Sequence, residues 1–224
     1  MLAGVSPDYY ARLEQGRAVN VSDQVVNAVA AALLLDDLER AHLSALLREQ
    51  PAGSGGPVRV RREVRTMVDA LGPVPAMVHN PEFDVLATNV LARALIHDFD
   101  AAPDAERNLL RWVFTDPRAR QVYPDWAEVA TGLVASLRLS IRSGSLIDEL
   151  SAASPEFTRF WADHQVRRHS QGPKRFHNAV VGDLTLNFET MLLADGSGLA
   201  LTVYTADPGS PSAQRLAELW ATVS

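Results

Sequence analysis

Alternating apolar and polar positions in the second half of the chain predict two groups of β-strands. Residues 75–79 and 83–88 are short apolar stretches separated by Asn80-Pro81-Glu82, which predicts a β-hairpin. Three further strands are predicted at residues 175–181, 184–193 and 199–206. Turns at Gly182-Asp183 and at residues 195–198 join these three strands into two consecutive hairpins.

Between and after these strands, apolar residues recur at helical spacing. The predicted helices cover residues 89–97, 104–113, 125–142, 146–152, 154–167 and 210–220. Two of them begin with a capping serine followed by proline, at Ser154-Pro155 and Ser210-Pro211. The element order is therefore two strands, several helices and three strands. It predicts an α+β fold with a five-stranded antiparallel sheet, whose helices are inserted between the second and third strands. Such a PAS-like arrangement can hold a ligand between sheet and helices.

The first fifty residues form a separate, all-helical module in this interpretation. Helical spacing continues over residues 25–33 and 38–46, and a linker rich in proline, glycine and serine covers residues 51–58. We therefore divide the chain into a module at 1–50, a linker at 51–58 and a domain at 59–224. Four arginines follow the linker on a predicted helix that ends near Leu71-Gly72-Pro73, and we favour a solvated helix face over a contact with DNA phosphates. They are Arg59, Arg61, Arg62 and Arg65.

The segment at residues 2–17 is typical of the turn and second helix of a helix-turn-helix. Gly4 suits the turn, Ser6 and Pro7 suit the helix start, and Gly16 suits the helix end. An ordinary capped amphipathic helix would share the Ser-Pro start, but the whole run favours the DNA-binding motif. The residues expected to face DNA are Ser6, Pro7, Asp8, Tyr9, Arg12 and Arg17.

Charge and composition limit the classes of partner. The net charge is −6 overall, and four arginines against seven acidic residues give −3 in the first fifty residues. The body of the protein is therefore not a general binder of nucleic acid or membrane surfaces. The chain has no cysteine, no signal peptide and no apolar run long enough to cross a bilayer, so we expect a cytoplasmic protein. Only Lys174 is a lysine among 21 basic residues, which we attribute to codon bias.

Taken together, six stretches of the chain resemble the MmyB-like transcription regulators of actinobacteria. These stretches are residues 2–17; 107–108 with 114–120; 123–126; 154–157 with Trp161 and His164; 182–186; and 203–212. The resemblance implies a lambda-repressor-like helix-turn-helix joined to a PAS-like sensor of a small molecule, with a fatty-acid-like ligand as the family's suggestion. It also implies five helices in the DNA-binding module. The first of these helices and nearly all of the second would lie upstream of Met1, so we expect the module to be incomplete here.

A sensor of an apolar molecule needs an apolar pocket with a few polar groups at its mouth. We expect the pocket to be lined by Trp112, Phe114, Tyr123, Trp126, Trp161, Phe188, Met191 and Tyr204. A carboxylate head group would pair with Arg107, Arg118, Tyr123 or His164. The alternative is that most of these aromatic residues fill the core. Arg107-Asn108 and Asp116-Pro117-Arg118 are interpreted as structural caps and ion pairs rather than catalytic contacts.

Other chemistries find little support in the sequence. His164, His169 and His177 cross a helix end and a turn without an accompanying carboxylate pattern, so we predict no metal site and no cofactor. Phosphate-binding loops, nucleophile elbows and zinc-protease motifs are absent, which argues against an enzyme. The sequence therefore predicts a dimeric regulator that binds double-stranded DNA and a small apolar ligand. The alternative is a stand-alone small-molecule or lipid-binding module without DNA binding.

Overall fold

The computed structural model describes residues 23–32, 59–138, 144–163 and 171–224. The chain divides into two compact units, Met1–Val58 and Arg59–Ser224. In the first unit the described residues form helix α1, Asp23–Ala32, whose Val29 and Ala30 are buried. This helix confirms the prediction for residues 25–32. The predicted recognition helix at 2–17 and the helix at 38–46 lie outside the described residues.

The second unit combines helices with one antiparallel sheet. Its helices are α2 (Arg62–Ala70), α3 (Val90–Leu95), α4 (Leu109–Thr115), α5 (Arg118–Val122), α6 (Trp126–Arg138), α7 (Gly144–Ala153), α8 (Pro155–Ala162) and α9 (Pro211–Val223). Its strands are β1 (Ala76–His79), β2 (Val85–Thr88), β3 (Gln171–Asn178), β4 (Gly182–Leu192) and β5 (Ala200–Thr205). Among the described helices, none is long and apolar enough to span a membrane.

The five strands form a single sheet in the order β2-β1-β5-β4-β3. Every neighbouring pair is antiparallel, and β5 lies at the centre between β1 and β4. The last strand of the chain, β5, therefore pairs with the first, β1. The α+β fold class and the five-stranded antiparallel sheet predicted from the sequence are both confirmed.

Apolar side chains cover both faces of this sheet. The larger core cluster includes Leu184 and Leu186 of β4, Phe176 of β3, and the buried faces of the inserted helices. On the opposite face, Val64 and Val68 of α2 pack in a smaller cluster with residues such as Val78 of β1. Helix α2, which contains Arg62 and Arg65 of the four arginines, therefore buries its valines against the sheet.

Capping side chains explain where several helices begin. Asn89 accepts a hydrogen bond from Ala92 N at the start of α3, and Asn108 accepts one from Arg111 N at the start of α4. Ser154 and Ser210 cap α8 and α9 as predicted, with proline next in each helix. The predicted helix at 104–113 is wrong in its first part, because Asp104–Glu106 form a separate 3₁₀ turn and the extended Asn108 starts helix α4 only after it.

Three other boundaries differ from the sequence prediction. Strand β3 begins four residues earlier than expected and includes Pro173, which is tolerated because β3 is an edge strand with no partner on its outer side. Helix α8 ends at Ala162 because Asp163 is extended. The short helix α5 was not predicted, since it buries only Ala119 and shows no helical period.

Candidate functional site

A cavity of about 550 Å³ lies between the sheet and helix α6. This volume is within the range of small-molecule sites in proteins. Most of its lining comes from three strands and one helix, with the turn of the first hairpin at one side. The lining residues are Met77, His79, Asn80, Pro81, Phe83, Leu109, Asp125, Glu128, Val129, Gly132, Leu133, Ser136, Pro173, Lys174, Arg175, Thr185, Phe188, Thr190, Leu192, Gly198, Ala200, Thr202 and Tyr204.

Helix α6 presents one continuous stripe to the cavity. Glu128, Gly132 and Ser136 recur every four residues, and Val129 and Leu133 flank them, so all five share one side of the helix. The start of α6 is held in place by Trp126, whose indole Nε1 donates to Val113 O at 2.8 Å. The Arg120 guanidinium lies 3.6 Å from the centre of the Trp126 ring and adds a cation–π contact.

The opposite wall follows from the two-residue period of β4 and β5. Leu184, Leu186 and Phe188 alternate with more exposed residues and face the helices. Phe188 pairs with Tyr204 across the strands, and Thr190 pairs with Thr202 at the next position of the same face. The wall is therefore aromatic in its middle and carries two hydroxyls farther along.

The turn between β1 and β2 supplies the side of the cavity. Phe83 has a positive φ of 65°, a conformation that non-glycine residues rarely adopt. The Asn80 side chain supports this backbone, since its Oδ1 accepts from Glu82 N at 3.0 Å and Asp84 N at 2.9 Å. The Phe83 ring stacks on His79 with centroids 5.0 Å apart, so the strained turn holds an aromatic face at the cavity wall.

Lys174 lines the cavity, and its ammonium lies among aromatic rings. Its Nζ lies 4.2 Å from the centre of the Phe188 ring and 5.9 Å from those of Tyr123 and Tyr204. Among the residues that the structure describes, no carboxylate forms an ion pair with this ammonium. Burial lowers the pKa of Lys174 to about 8, and the charge of Glu128 offsets this only in part. The side chain is thus a desolvated cation that forms no ion pair within the part of the chain that the structure describes, although the charge of Glu128 acts on it.

A chain of hydrogen bonds crosses the end of the cavity that lies toward β1. His79 Nδ1 is 2.9 Å from Asn80 O, and His79 Nε2 is 3.2 Å from Thr202 Oγ1. Thr202 Oγ1 is in turn 2.9 Å from Thr190 Oγ1. Burial lowers the pKa of His79, and the positive charge of Lys174 adds to that effect. The imidazole is therefore neutral at physiological pH.

The aromatic residues named in the sequence analysis separate into two groups. Phe188 and Tyr204 line the cavity. The others pack in or against the core beside it: Trp112 meets Tyr123 at 5.9 Å, Phe114 and Trp126 meet at 5.7 Å, and Trp161 stacks on Phe157 at 5.9 Å. Met191 points away from Phe188 on β4 and is 42% exposed.

The polar residues proposed for a head group have local partners. Arg107 donates to Ala102 O and Asp100 O and pairs with Asp104 at 2.9 Å. Arg118 is exposed and pairs with Asp116 at 2.5 Å, and this contact lowers the pKa of the Asp116 carboxyl. Their interpretation as structural ion pairs is confirmed, as is that of Asn108 as a cap. His164 and the six residues expected to face DNA lie outside the described residues.

The titratable and hydrogen-bonding side chains of the cavity wall were not identified from the sequence. Lys174, His79, Thr190 and Thr202 lie on strands that contain other polar residues, so no local pattern distinguishes them. Lys174 is the single lysine of the chain, and this was the one feature of the sequence that could have pointed to it. In the described part of the chain, no group of three or more His, Cys, Asp or Glu residues could hold a metal ion.

Two family models match the chain. Residues 60–219 match the model of the MmyB-like transcription regulator ligand binding domain, and residues 1–43 match that of a helix-turn-helix domain. The first match spans the sheet, the inserted helices and every cavity-lining residue. No curated protein matches the chain.

Proposed function

Because the chain belongs to the MmyB-like transcription regulators, we propose that its second unit binds an elongated apolar acid of the fatty-acid class in the cavity. The two family matches make the protein a transcription regulator with a helix-turn-helix domain and a ligand-binding domain. We assign residues 1–50 to the DNA-binding module, 51–58 to a linker and 59–224 to the sensor. The identity of the ligand is then a question about the chemistry of the cavity wall.

The observation that carries the proposal is the desolvated ammonium of Lys174, which forms no ion pair with a carboxylate of the described residues. A cation removed from water without a counter-charge destabilises the folded protein, and a carboxylate placed beside it removes that penalty. Lys174 lines the cavity, and its ammonium lies near the rings of Phe188, Tyr204 and Tyr123. An acid head group entering the cavity would meet this cation.

Part of the remaining lining suits a hydrocarbon tail. Met77, Val129, Leu133 and Phe188 are apolar and lie on facing walls. Each methylene that leaves water for such a lining contributes about 0.8 kcal/mol to binding. A chain of several methylenes could thus hold the acid in place, with the ammonium fixing its direction.

A comparison of matched ligands tests this proposal. We expect tetradecanoic acid to bind the full chain at least about tenfold more tightly than tetradecanol in isothermal titration calorimetry at pH 7, because only the acid forms a charge-assisted contact with Lys174. Equal affinities would show that the head group is not recognised as an anion. Absence of binding by both ligands would overturn the assignment of the cavity to aliphatic chains.

We further propose that the regulator works as a homodimer in the cytoplasm on double-stranded DNA. A ligand that binds one sensor conformation better would change how two DNA-binding modules are spaced. We expect the acid to shift the oligomeric state in sedimentation velocity, or to change the affinity for duplexes selected by the protein from a random pool. If neither quantity responds to a ligand that binds, the alternative of a stand-alone binding module replaces this one.

A further inference from the structure

The hydrogen bonds between His79 and Thr190 have only one consistent direction. Asn80 O is a carbonyl oxygen and can only accept, so His79 Nδ1 carries the proton and donates. In the neutral ring Nε2 is then an acceptor, and the hydroxyl of Thr202 must donate to it. Thr202 has no second hydrogen to give, so Thr190 donates to Thr202 across their 2.9 Å contact.

This direction leaves Thr190 as an acceptor in the cavity wall. Its single hydroxyl hydrogen is engaged by Thr202, and its lone pairs remain. Among the described residues, no other group donates a hydrogen bond to Thr190 Oγ1. Since Thr190 lines the cavity, the unused lone pairs are available to whatever occupies it.

Thr190 and Lys174 are separated along the same face of the sheet. Lys174 pairs with Leu186 across β3 and β4, and the backbone of Thr190 lies four residues farther along β4, about 13 Å from that of Leu186 at the usual rise of a strand. The ammonium lies closer to Thr190 than this backbone separation, because Lys174 Nζ is 4.2 Å from the centre of the Phe188 ring, two residues from Thr190. The cavity thus combines a cation beside Phe188 with a hydrogen-bond acceptor farther along the same strand.

We propose that the cavity selects acids whose chain carries a hydrogen-bond donor, a hydroxyl in the simplest case, with the acid at Lys174 and the hydroxyl donating to Thr190. The inference rests on the proposed binding of an acid and adds the class of ligand. A plain hydrocarbon chain would leave the acceptor of Thr190 facing methylenes, whereas a hydroxyl at the matching carbon satisfies it. Lys174 binds the carboxylate of both ligands, and Thr190 distinguishes a hydroxy acid from its parent acid.

A ligand series on the full chain tests the selection. The probes are tetradecanoic acid, its monohydroxy isomers, and the oxo acid that carries a ketone at the best hydroxyl position. We expect one or two neighbouring hydroxy isomers to bind about tenfold more tightly than the parent acid, and the oxo acid to gain nothing because a ketone only accepts. The inference fails if no isomer exceeds the parent acid or if the oxo acid gains as much as the hydroxy acid.

Two substitutions of Thr190 test whether this residue causes the preference for the hydroxy acid. In Thr190→Val the ratio between the affinities for the hydroxy acid and the parent acid should fall to about one. In Thr190→Ser the hydroxyl remains, so the preference should survive, which excludes a general effect of repacking. A preference that persists in Thr190→Val would overturn the inference.

The possible outcomes distinguish this inference from the proposal on which it rests, that the cavity binds an acid. If the parent acid binds and the isomers show no preference, only the role of Thr190 is lost. If the parent acid and every isomer fail to bind the wild-type chain, the assignment of the cavity to acids is itself wrong.

Discussion

Replacement of Lys174 by methionine is expected to lower the affinity for an acid ligand about 100-fold and, without ligand, to make the domain more stable. The ammonium of Lys174 is surrounded by the rings of Phe188, Tyr123 and Tyr204 and has no carboxylate partner among the described residues. Methionine keeps an unbranched apolar chain of similar length, so the cavity would retain its shape and lose only its cation. A bound carboxylate would then be left without a counter-charge.

The expected gain in stability follows from the same desolvation. Removal of a partly buried, unpaired cation should raise the free energy of unfolding by about 1–2 kcal/mol. At this domain size each kcal/mol corresponds to about 2–4 °C in melting temperature. The measurements are ligand titration and thermal unfolding followed by circular dichroism. A variant that binds acids as well as the wild type would remove Lys174 from the site, and one that is less stable would contradict the account of its desolvation.

Variation of pH provides the control for this substitution. Burial lowers the pKa of Lys174 to about 8, from about 10.4 in an unfolded chain. Above pH 8 the free protein loses the ammonium, so acid affinity of the wild type should fall with pH while that of Lys174→Met stays level. Between these two pKa values the unfolded chain binds more protons than the folded one, so wild-type stability rises with pH. The stability advantage of Lys174→Met should therefore shrink over the same interval.

Lys174→Arg provides the matched comparison at neutral pH. Arginine keeps the positive charge at all accessible pH values, and it can still pair with a carboxylate. We expect it to retain most of the acid affinity and to show no loss of affinity above pH 8. Together, Lys174→Met and Lys174→Arg distinguish the role of the positive charge from that of the lysine side chain.

Much of this fold could be predicted because its signals are local. Ser154-Pro155 and Ser210-Pro211 mark helix starts through side chains that bond to their own helix. The strands around Gly182-Asp183 follow from alternation and turn residues within a few positions. Such features need no knowledge of the rest of the chain, and the sheet order then follows from the pairing of its hairpins.

The cavity could not be predicted in the same way because its polar groups meet only through tertiary structure. His79 and Thr202 are separated by more than a hundred residues in sequence, and their hydrogen bond exists only because β1 pairs with β5. Aromatic residues were predicted to line the pocket because, unlike these polar groups, they stand out in the sequence itself. Phe114 and Trp126 are conspicuous in the sequence, yet they fill the core, where most large aromatic side chains of a domain of this size are needed.

The largest loss of stability among single substitutions considered for this fold is expected at Asn108. Its side chain is completely buried, and it joins the first hairpin to helix α4 through three hydrogen bonds. Oδ1 accepts from Arg111 N at 3.0 Å, and Nδ2 donates to both Glu82 O and Asp84 Oδ1 at 2.8 Å. The three hydrogen bonds satisfy the polar atoms of the Asn108 side chain, which is itself removed from water.

Asn108→Ala should lower the free energy of unfolding by about 3 kcal/mol, since the loss of a helix cap alone typically costs about 1 kcal/mol and the unsatisfied groups add to it. The matched control is Asn187→Ala, which removes one exposed hydrogen bond to Asp207 and should cost less than about 1 kcal/mol. Both values come from urea unfolding followed by tryptophan fluorescence. Equal losses in the two variants would show that Asn108 does not join hairpin and helix.

Asn108→Asp distinguishes the cap from the donor contacts. The carboxylate keeps an oxygen for Arg111 N, but it faces Glu82 O and the Asp84 carboxylate where the amide had donated. Repulsion between the two carboxylates destabilises the folded state at pH 7, and uptake of one proton at lower pH relieves it. The folded variant therefore binds protons more readily than the unfolded chain, so its deficit relative to wild type should shrink as pH falls. Because Phe83 lies between Glu82 and Asp84 and contributes to the cavity wall, the same variant should weaken ligand binding in parallel with stability.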